Sequence, residues 1–168
     1  MTRRHAVQIV KPPVTWILVA DGRRAQVYTR ERAERHMPPS FAEIVAYEPV
    51  PVAGMRWEAE SADQYEVGRN ATGMVFQSSG SARHMSEPHM DVREEIKVHF
   101  AKAVAKQLNQ AREKKAFDRL VLIAPAKMLG EIKKQLDEKV LVRIVAEMPK
   151  DLTHYEGRAL AEHLESIA

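Results

Sequence analysis

The residues best suited to chemistry lie in the middle of the chain. Gly68-Arg69 and Gly80-Ser-Ala-Arg83-His84 place flexible backbone N–H groups beside guanidinium groups, a combination that grips phosphate oxygens. Neither a Gly-x-Gly-x-x-Gly nor a Walker pattern accompanies them, so a nucleotide cradle is not indicated. The competing reading of the same residues is a solvated loop whose charges serve solubility. Lys127, at the start of a predicted helix, is the further cation expected to assist in binding an anion.

Other chemistries fit the sequence less well. Two-metal hydrolysis needs several carboxylates converging on one spot. Asp21 closes an apolar run, but Glu94 and Glu95 fall at the beginning of a helix, and the run ending Ile123-Ala124-Pro125 carries no acid. Asp21 is instead expected to be a turn residue accepting backbone N–H groups. His84, Glu87 and His89 are close in sequence, yet Pro88 interrupts them and no helical ligand spacing is present. Ser78, Ser79, Ser81 and Ser86 crowd the same region without a Gly-x-Ser-x-Gly elbow. The absence of Cys removes disulfides, thiolate nucleophiles and Cys-ligated zinc. The expectation is a protein without catalytic residues, metal or small-molecule cofactor.

These residues need a scaffold, and the composition supplies one. The chain has 168 residues, 45% of them apolar and 29% charged, with a net charge of +3. That balance suits one globular domain and is compatible with an anionic partner without demanding one. No stretch approaches the roughly 20 apolar residues that span a bilayer. Met1-Thr-Arg-Arg-His5 leads into Lys11-Pro-Pro13 with no apolar leader between, so a cytoplasmic location is expected. The organisation predicted is a flexible tail over 1–14 and a single α/β domain over 15–168, with a long inserted loop at 52–90.

Within that domain, Thr15–Asp21 reads as a buried strand closed by an Asp-Gly turn, and Ala25, Val27 and Thr29 alternate in a second strand. Residues 41–48 are predicted as a third strand ended by Pro49 and Pro51. Four of the seven glycines fall between 52 and 90, where no sustained period appears. Val92, Ile96, Phe100, Val104, Leu108 and Ala111 then recur at helical spacing, predicting a helix over 91–115 that starts in an Asp91–Glu94 capping box. A strand at 118–124, a helix opened by Pro125, a strand at 140–146 and a helix capped by Thr153 and Glu156 complete the order. His99 is expected at the edge of the core. Arg112, Lys114, Lys115, Arg119, Lys127, Lys133, Lys134 and Lys139 are candidates for one basic end, or for ordinary solvated helix faces. The fold predicted is α/β, a five-stranded mixed sheet in the order 3-2-1-4-5 with helices on both faces, the ribonuclease H-like architecture.

Trp16-Ile-Leu-Val-Ala-Asp-Gly-Arg-Arg-Ala25, Gly68-Arg69, Gly80-Ser-Ala-Arg-His84, Phe117-Asp-Arg-Leu-Val-Leu-Ile-Ala-Pro125 with Leu129-Gly130, and Lys150-Asp-Leu-Thr153 together resemble the bacterial host-attachment protein family. That family is in turn similar to the middle domain of archaeal and eukaryotic class-I translation release factors. There an equivalent inserted loop carries Gly-Gly-Gln into the ribosomal peptidyl-transferase centre. This chain contains no Gly-Gly-Gln; Gln77-Ser-Ser-Gly80 is the nearest approach. The resemblance implies a binding protein related to translation factors that contacts the ribosome, tRNA or another anionic partner through the 52–90 loop. Gly68, Arg69, Gly80, Arg83, His84 and Lys127 would be its contact residues. The alternative it implies is an intracellular protein that serves attachment to host cells through a protein partner.

Overall fold

A computed structural model of the chain describes residues 12–32, 47–61, 64 and 88–165. Five strands form one sheet in the order β3-β2-β1-β4-β5. They are β1 (Thr15–Ala20), β2 (Arg24–Arg32), β3 (Tyr47–Glu58), β4 (Arg119–Ile123) and β5 (Ile144–Met148). The first three pair antiparallel, while β4 joins β1 and β5 joins β4 in parallel. The helices are α1 (Pro88–Glu113), α2 (Ala126–Gln135), the single-turn α3 (Glu138–Leu141) and α4 (Gly157–Leu164). The sheet, its order and its mixed direction agree with the sequence expectation.

The central position of β1 explains its composition. A strand with a neighbour on each side and helices above and below must be apolar on both faces. Trp16, Leu18 and Ala20 meet the cluster formed with α1, α2 and α3, where Phe100, Val104, Leu108, Ile132 and Val140 are buried. Ile17 and Val19 meet a smaller cluster with Leu152 and the α4 residues Leu160 and Leu164. Trp16 also stacks on Phe117, with ring centroids 5.0 Å apart. Below that contact, Val14 N–H donates to Asp118 Oδ2 at 2.9 Å, tying the entry of β1 to the entry of β4.

Long α1 stops in a Schellman arrangement. Ala116 N–H reaches the Ala111 carbonyl and Lys115 N–H the Arg112 carbonyl, both at 2.9 Å. Lys115 occupies the left-handed position, with φ of 56°, where glycine is the usual residue. The Arg112 guanidinium donates to the Phe117 carbonyl at 2.7 Å, which satisfies a further acceptor beyond the helix end.

Several expected boundaries differ. The third strand was expected to end before Pro49 but runs from Tyr47 to Glu58, with Pro49 opposite Arg30 and Pro51 opposite Tyr28. Its place at the sheet edge is the reason, because an edge strand has a row of N–H positions that no neighbour needs. The ladder slips between Gln26 and Tyr28, where Arg56 and Pro51 are the respective partners, and Gly54 at φ 73° lets the chain bulge there. The predicted strand residues 41–46 lie outside the described residues. Residues 52–58 and 88–90, counted into the 52–90 loop, therefore belong to β3 and α1.

The start of α1 at Pro88 puts Asp91 inside the helix rather than at its cap. The strand expected at 140–146 is displaced to Ile144–Met148. Val140 instead sits in α3, fully buried, with its N–H on the Asp137 carbonyl. A short apolar run fits either a strand or a buried helical turn, and burial against α1 and α2 decided this one. The last helix begins at Gly157 without a side-chain cap, so Thr153 is not its N-cap.

Candidate functional site

The carboxyl ends of the parallel strands gather most of the polar chemistry. In an open α/β sheet this is the edge where ligands bind, beside the point at which the chain leaves in opposite directions from adjacent strands. Here β1 turns back into β2 and β4 continues into α2 on the other side, so the switch point lies between β1 and β4.

Asp21 follows β1 and organises the turn. Its Oδ1 accepts the Arg23 and Arg24 backbone N–H groups, each at 2.6 Å. Asp21 N–H in turn reaches the Arg24 carbonyl. Asp21 Oδ2 accepts the Thr153 hydroxyl at 2.8 Å, and Arg24 Nε stands 3.8 Å from the same oxygen. Thr153 lies 2.7 Å from Asp151 Oδ1 as well, so one hydroxyl proton serves two carboxylates. Partial burial pushes the Asp21 pKa up. The two backbone N–H bonds, the Thr153 hydroxyl and the Arg24 charge outweigh that effect and hold it below the ordinary value. The expectation of a turn carboxylate accepting backbone donors agrees with these contacts.

Next to this turn, α1 and α2 meet through Glu94. Its Oε1 accepts Lys97 Nζ at 3.0 Å and its Oε2 accepts Lys127 Nζ at 2.6 Å. The Lys127 bond, then the Lys97 bond, hold the Glu94 carboxyl below the usual range, against a smaller opposing effect of desolvation. The alkyl chain of Lys97 passes over Gly22, where a Cβ would come within 3.4 Å of it. The Asp-Gly turn thus gives the first turns of α1 a close approach to the end of β1. Arg23 is exposed beside them, and its carbonyl accepts Ala59 N–H at 2.6 Å. The chain that leaves β3 is anchored on this turn.

Of the residues singled out from sequence, Lys127 is in this cluster, with its side chain 70% exposed and its ammonium held on Glu94. Gly68, Arg69, Gly80, Arg83 and His84 lie outside the described residues, as do His84 and Glu87 of the metal candidate. Among the described residues no three His, Asp or Glu side chains are grouped to hold a metal ion. The residues considered for one basic end divide between the two ends of the sheet. Arg112, Lys115 and Arg119 sit where α1 enters β4, at the opposite end of the sheet from Lys127. Lys133 and Lys134 pair with Glu147 and Glu131.

Sequence reading missed the Glu94 pairing and the Thr153 bridge. Glu94-x-x-Lys97 was visible as a pair three apart on a helix. Lys127, 33 residues away, and Thr153, 132 residues from Asp21, carry no local signal.

The geometry defines a class, an α/β protein with a five-stranded mixed sheet whose carboxyl end carries the Asp21 and Glu94 ion pairs. Residues 16–164 match the family described as protein required for attachment to host cells, and the chain belongs to that family. Among curated proteins no match was found. Among solved structures, the chain is similar to the crystal structure of an archaeal translation termination factor, aRF1, at 11% identity and a TM-score of 0.45. That similarity covers 89% of this chain and 32% of the termination factor, so the chain spans about a third of that protein's length. Among the described residues no helix is long and apolar enough to cross a membrane.

Proposed function

We propose that this protein binds an anionic partner, ribosomal RNA or tRNA, without catalysing a reaction, and that the carboxyl end of the sheet is where the partner docks. One observation carries the reading. Lys97 and Lys127, from different helices, converge on a single carboxylate beside the arginines of the Asp21 turn. Lys97 and Lys127 share the one carboxylate of Glu94, and Arg23 and Arg24 are exposed beside them. Ala59, bonded to the Asp21 turn through the Arg23 carbonyl, precedes in sequence the segment that holds Gly68, Arg69, Gly80, Arg83 and His84. Those residues, by their chemistry, are the further phosphate contacts this reading calls for. The reading takes the protein to be cytoplasmic and to use no metal or cofactor.

Co-sedimentation with ribosomes tests it. The wild-type chain should pellet with ribosomes and dissociate as salt rises, because phosphate contacts release counterions. Arg69→Ala/Arg83→Ala and Lys97→Ala/Lys127→Ala should each weaken the association and flatten its salt dependence. No association, or variants that behave as the wild type, would overturn it.

Family membership favours a second reading, in which the protein serves attachment to host cells through a protein partner. Under that reading the captured partner is a protein, and binding survives nuclease treatment and high salt.

A further inference from the structure

A cleft lies on the face of the sheet that α4 covers, between the antiparallel strands and the segment leading into that helix. Val19, Gln26 and Arg56, directly opposite one another on β1, β2 and β3, form its floor, and Thr153 and Glu156 form its wall. Its volume is about 60 Å³, which at the space one water needs is room for about four to six non-hydrogen atoms. Tyr28 is the most buried of its polar residues. It is 8% exposed, and among the described residues its hydroxyl has no hydrogen-bond partner. A buried tyrosine hydroxyl ordinarily finds one. No fully buried polar side-chain atom among the described residues lacks a partner, so this hydroxyl is not sealed in the core and opens on the cleft that Tyr28 lines.

Opposite charges flank that hydroxyl. Burial raises the Tyr28 pKa, the Glu156 carboxylate raises it further, and the Arg56 guanidinium opposes both. Both charged groups therefore act on the phenol, one from the wall and one from the floor. Glu156 occupies the N-cap of α4 without a side-chain cap bond, and among the described residues it has no ion pair. Arg56 meets Glu58 through one nitrogen at 3.3 Å, with its side chain 67% exposed, which leaves most of its donors free. A ligand that satisfies the whole cleft must accept hydrogen bonds on one side and offer a positively charged donor on the other, within a few atoms.

We propose that this cleft binds the head group of a free α-amino acid, with its carboxylate on Arg56 and the Tyr28 hydroxyl and its ammonium on Glu156. The ammonium, the carbon it shares with the carboxylate and the carboxylate itself together match the size of the cleft. A guanidinium grips a carboxylate through paired N–H groups. A phosphate monoester would meet Glu156 with like charge, so the lining suits a zwitterion rather than an anion. Arg56 and Glu156 are both exposed, and the amino-acid side chain leaves by the mouth between them. The site shares no residue with the Glu94 pairing and does not depend on the ribonucleic acid reading.

An NMR titration of the full chain with L-alanine is the test. Saturable amide shifts confined to the surroundings of Tyr28, Arg56 and Glu156 are the expected result. Propionate, which lacks the ammonium, and L-alaninamide, which lacks the carboxylate, should each bind about tenfold more weakly or worse. Tyr28→Phe should weaken alanine binding about tenfold at an unchanged melting temperature, because the lost hydroxyl leaves no internal partner behind. Glu156→Gln should bring alanine down to the level of propionate, and Arg56→Gln should bring it down to that of alaninamide. A merely structural role for either residue would weaken all three ligands alike. No saturation below roughly 50 mM alanine, a free energy too small for two charged contacts, would overturn the proposal. So would propionate or alaninamide binding as well as alanine, shifts centred elsewhere, or a mononucleotide that saturates the same resonances more tightly than alanine.

Discussion

Replacing Asp21 by Asn separates the charge of this side chain from its shape. The amide oxygen can still accept the Arg23 and Arg24 N–H groups, but the amide nitrogen cannot accept the Thr153 proton, which is left to Asp151. Hydrogen bonds to an ionised acceptor contribute about 1.5–3 kcal/mol and those to a neutral acceptor about 0.5–1.5 kcal/mol. Two bonds weakened by about 1 kcal/mol each make the expected loss at neutral pH about 2 kcal/mol. Solvent screening reduces this little, since the side chain is only 15% exposed. The pH dependence has a definite sign. The folded pKa lies below the ordinary 3.8, so the stability that Asp21 contributes is complete above that value and disappears as pH falls through the folded one. Urea unfolding from pH 7 down to about 2.5 should show the wild type losing stability faster than Asp21→Asn below about pH 4, until the two curves meet. A gap that stays constant over that range, or one under about 0.5 kcal/mol at neutral pH, would refute the argument.

Lys115→Gly should stabilise the protein by about 0.5–1 kcal/mol, because the left-handed cost to an L-residue of about 1–2 kcal/mol is only partly offset by the greater chain entropy of glycine. The check is a rise in the urea midpoint with unchanged m-value. Leu108→Ala, at a fully buried position against β1 and β4, should cost about 2–5 kcal/mol in the same assay. Glu94→Gln should release Lys97 and Lys127 from their shared carboxylate. If the carboxyl-end rim binds phosphate, this variant should pellet with ribosomes more strongly than wild type at low salt and show a steeper salt dependence.

The legible parts of the fold were those in which local pattern and tertiary role coincide. β1 reads as a central strand because both faces are apolar, and α1 reads as a helix because of its one apolar stripe, of which Phe100, Val104, Leu108 and Ala111 pack in the core beneath the sheet. The Asp21-Gly22 turn was legible because its chemistry is local. The extent of β3 is not legible, because two prolines normally end a strand and only the position at the sheet edge makes them harmless. The Thr153-x-x-Glu156 pattern suggested a helix cap, yet the hydroxyl is turned to a carboxylate from the far end of the chain. Lys127 is legible as a cation at a helix start, but its restraint by Glu94 depends on how α1 and α2 pack, and no spacing rule reports that.

The join between β1 and β4 bears on how such a chain is made. Val14 and Asp118, which fasten its lower end, are 104 residues apart. As the polypeptide leaves the ribosome, the β1–β2 hairpin is complete long before its parallel neighbour has been synthesised. During that interval the bare side of a strand made of Trp16, Ile17, Leu18 and Val19 faces water, a ready template for intermolecular pairing. A fragment stopping before Arg119 should therefore aggregate rather than fold, and slow translation between the two halves should lengthen dependence on a chaperone.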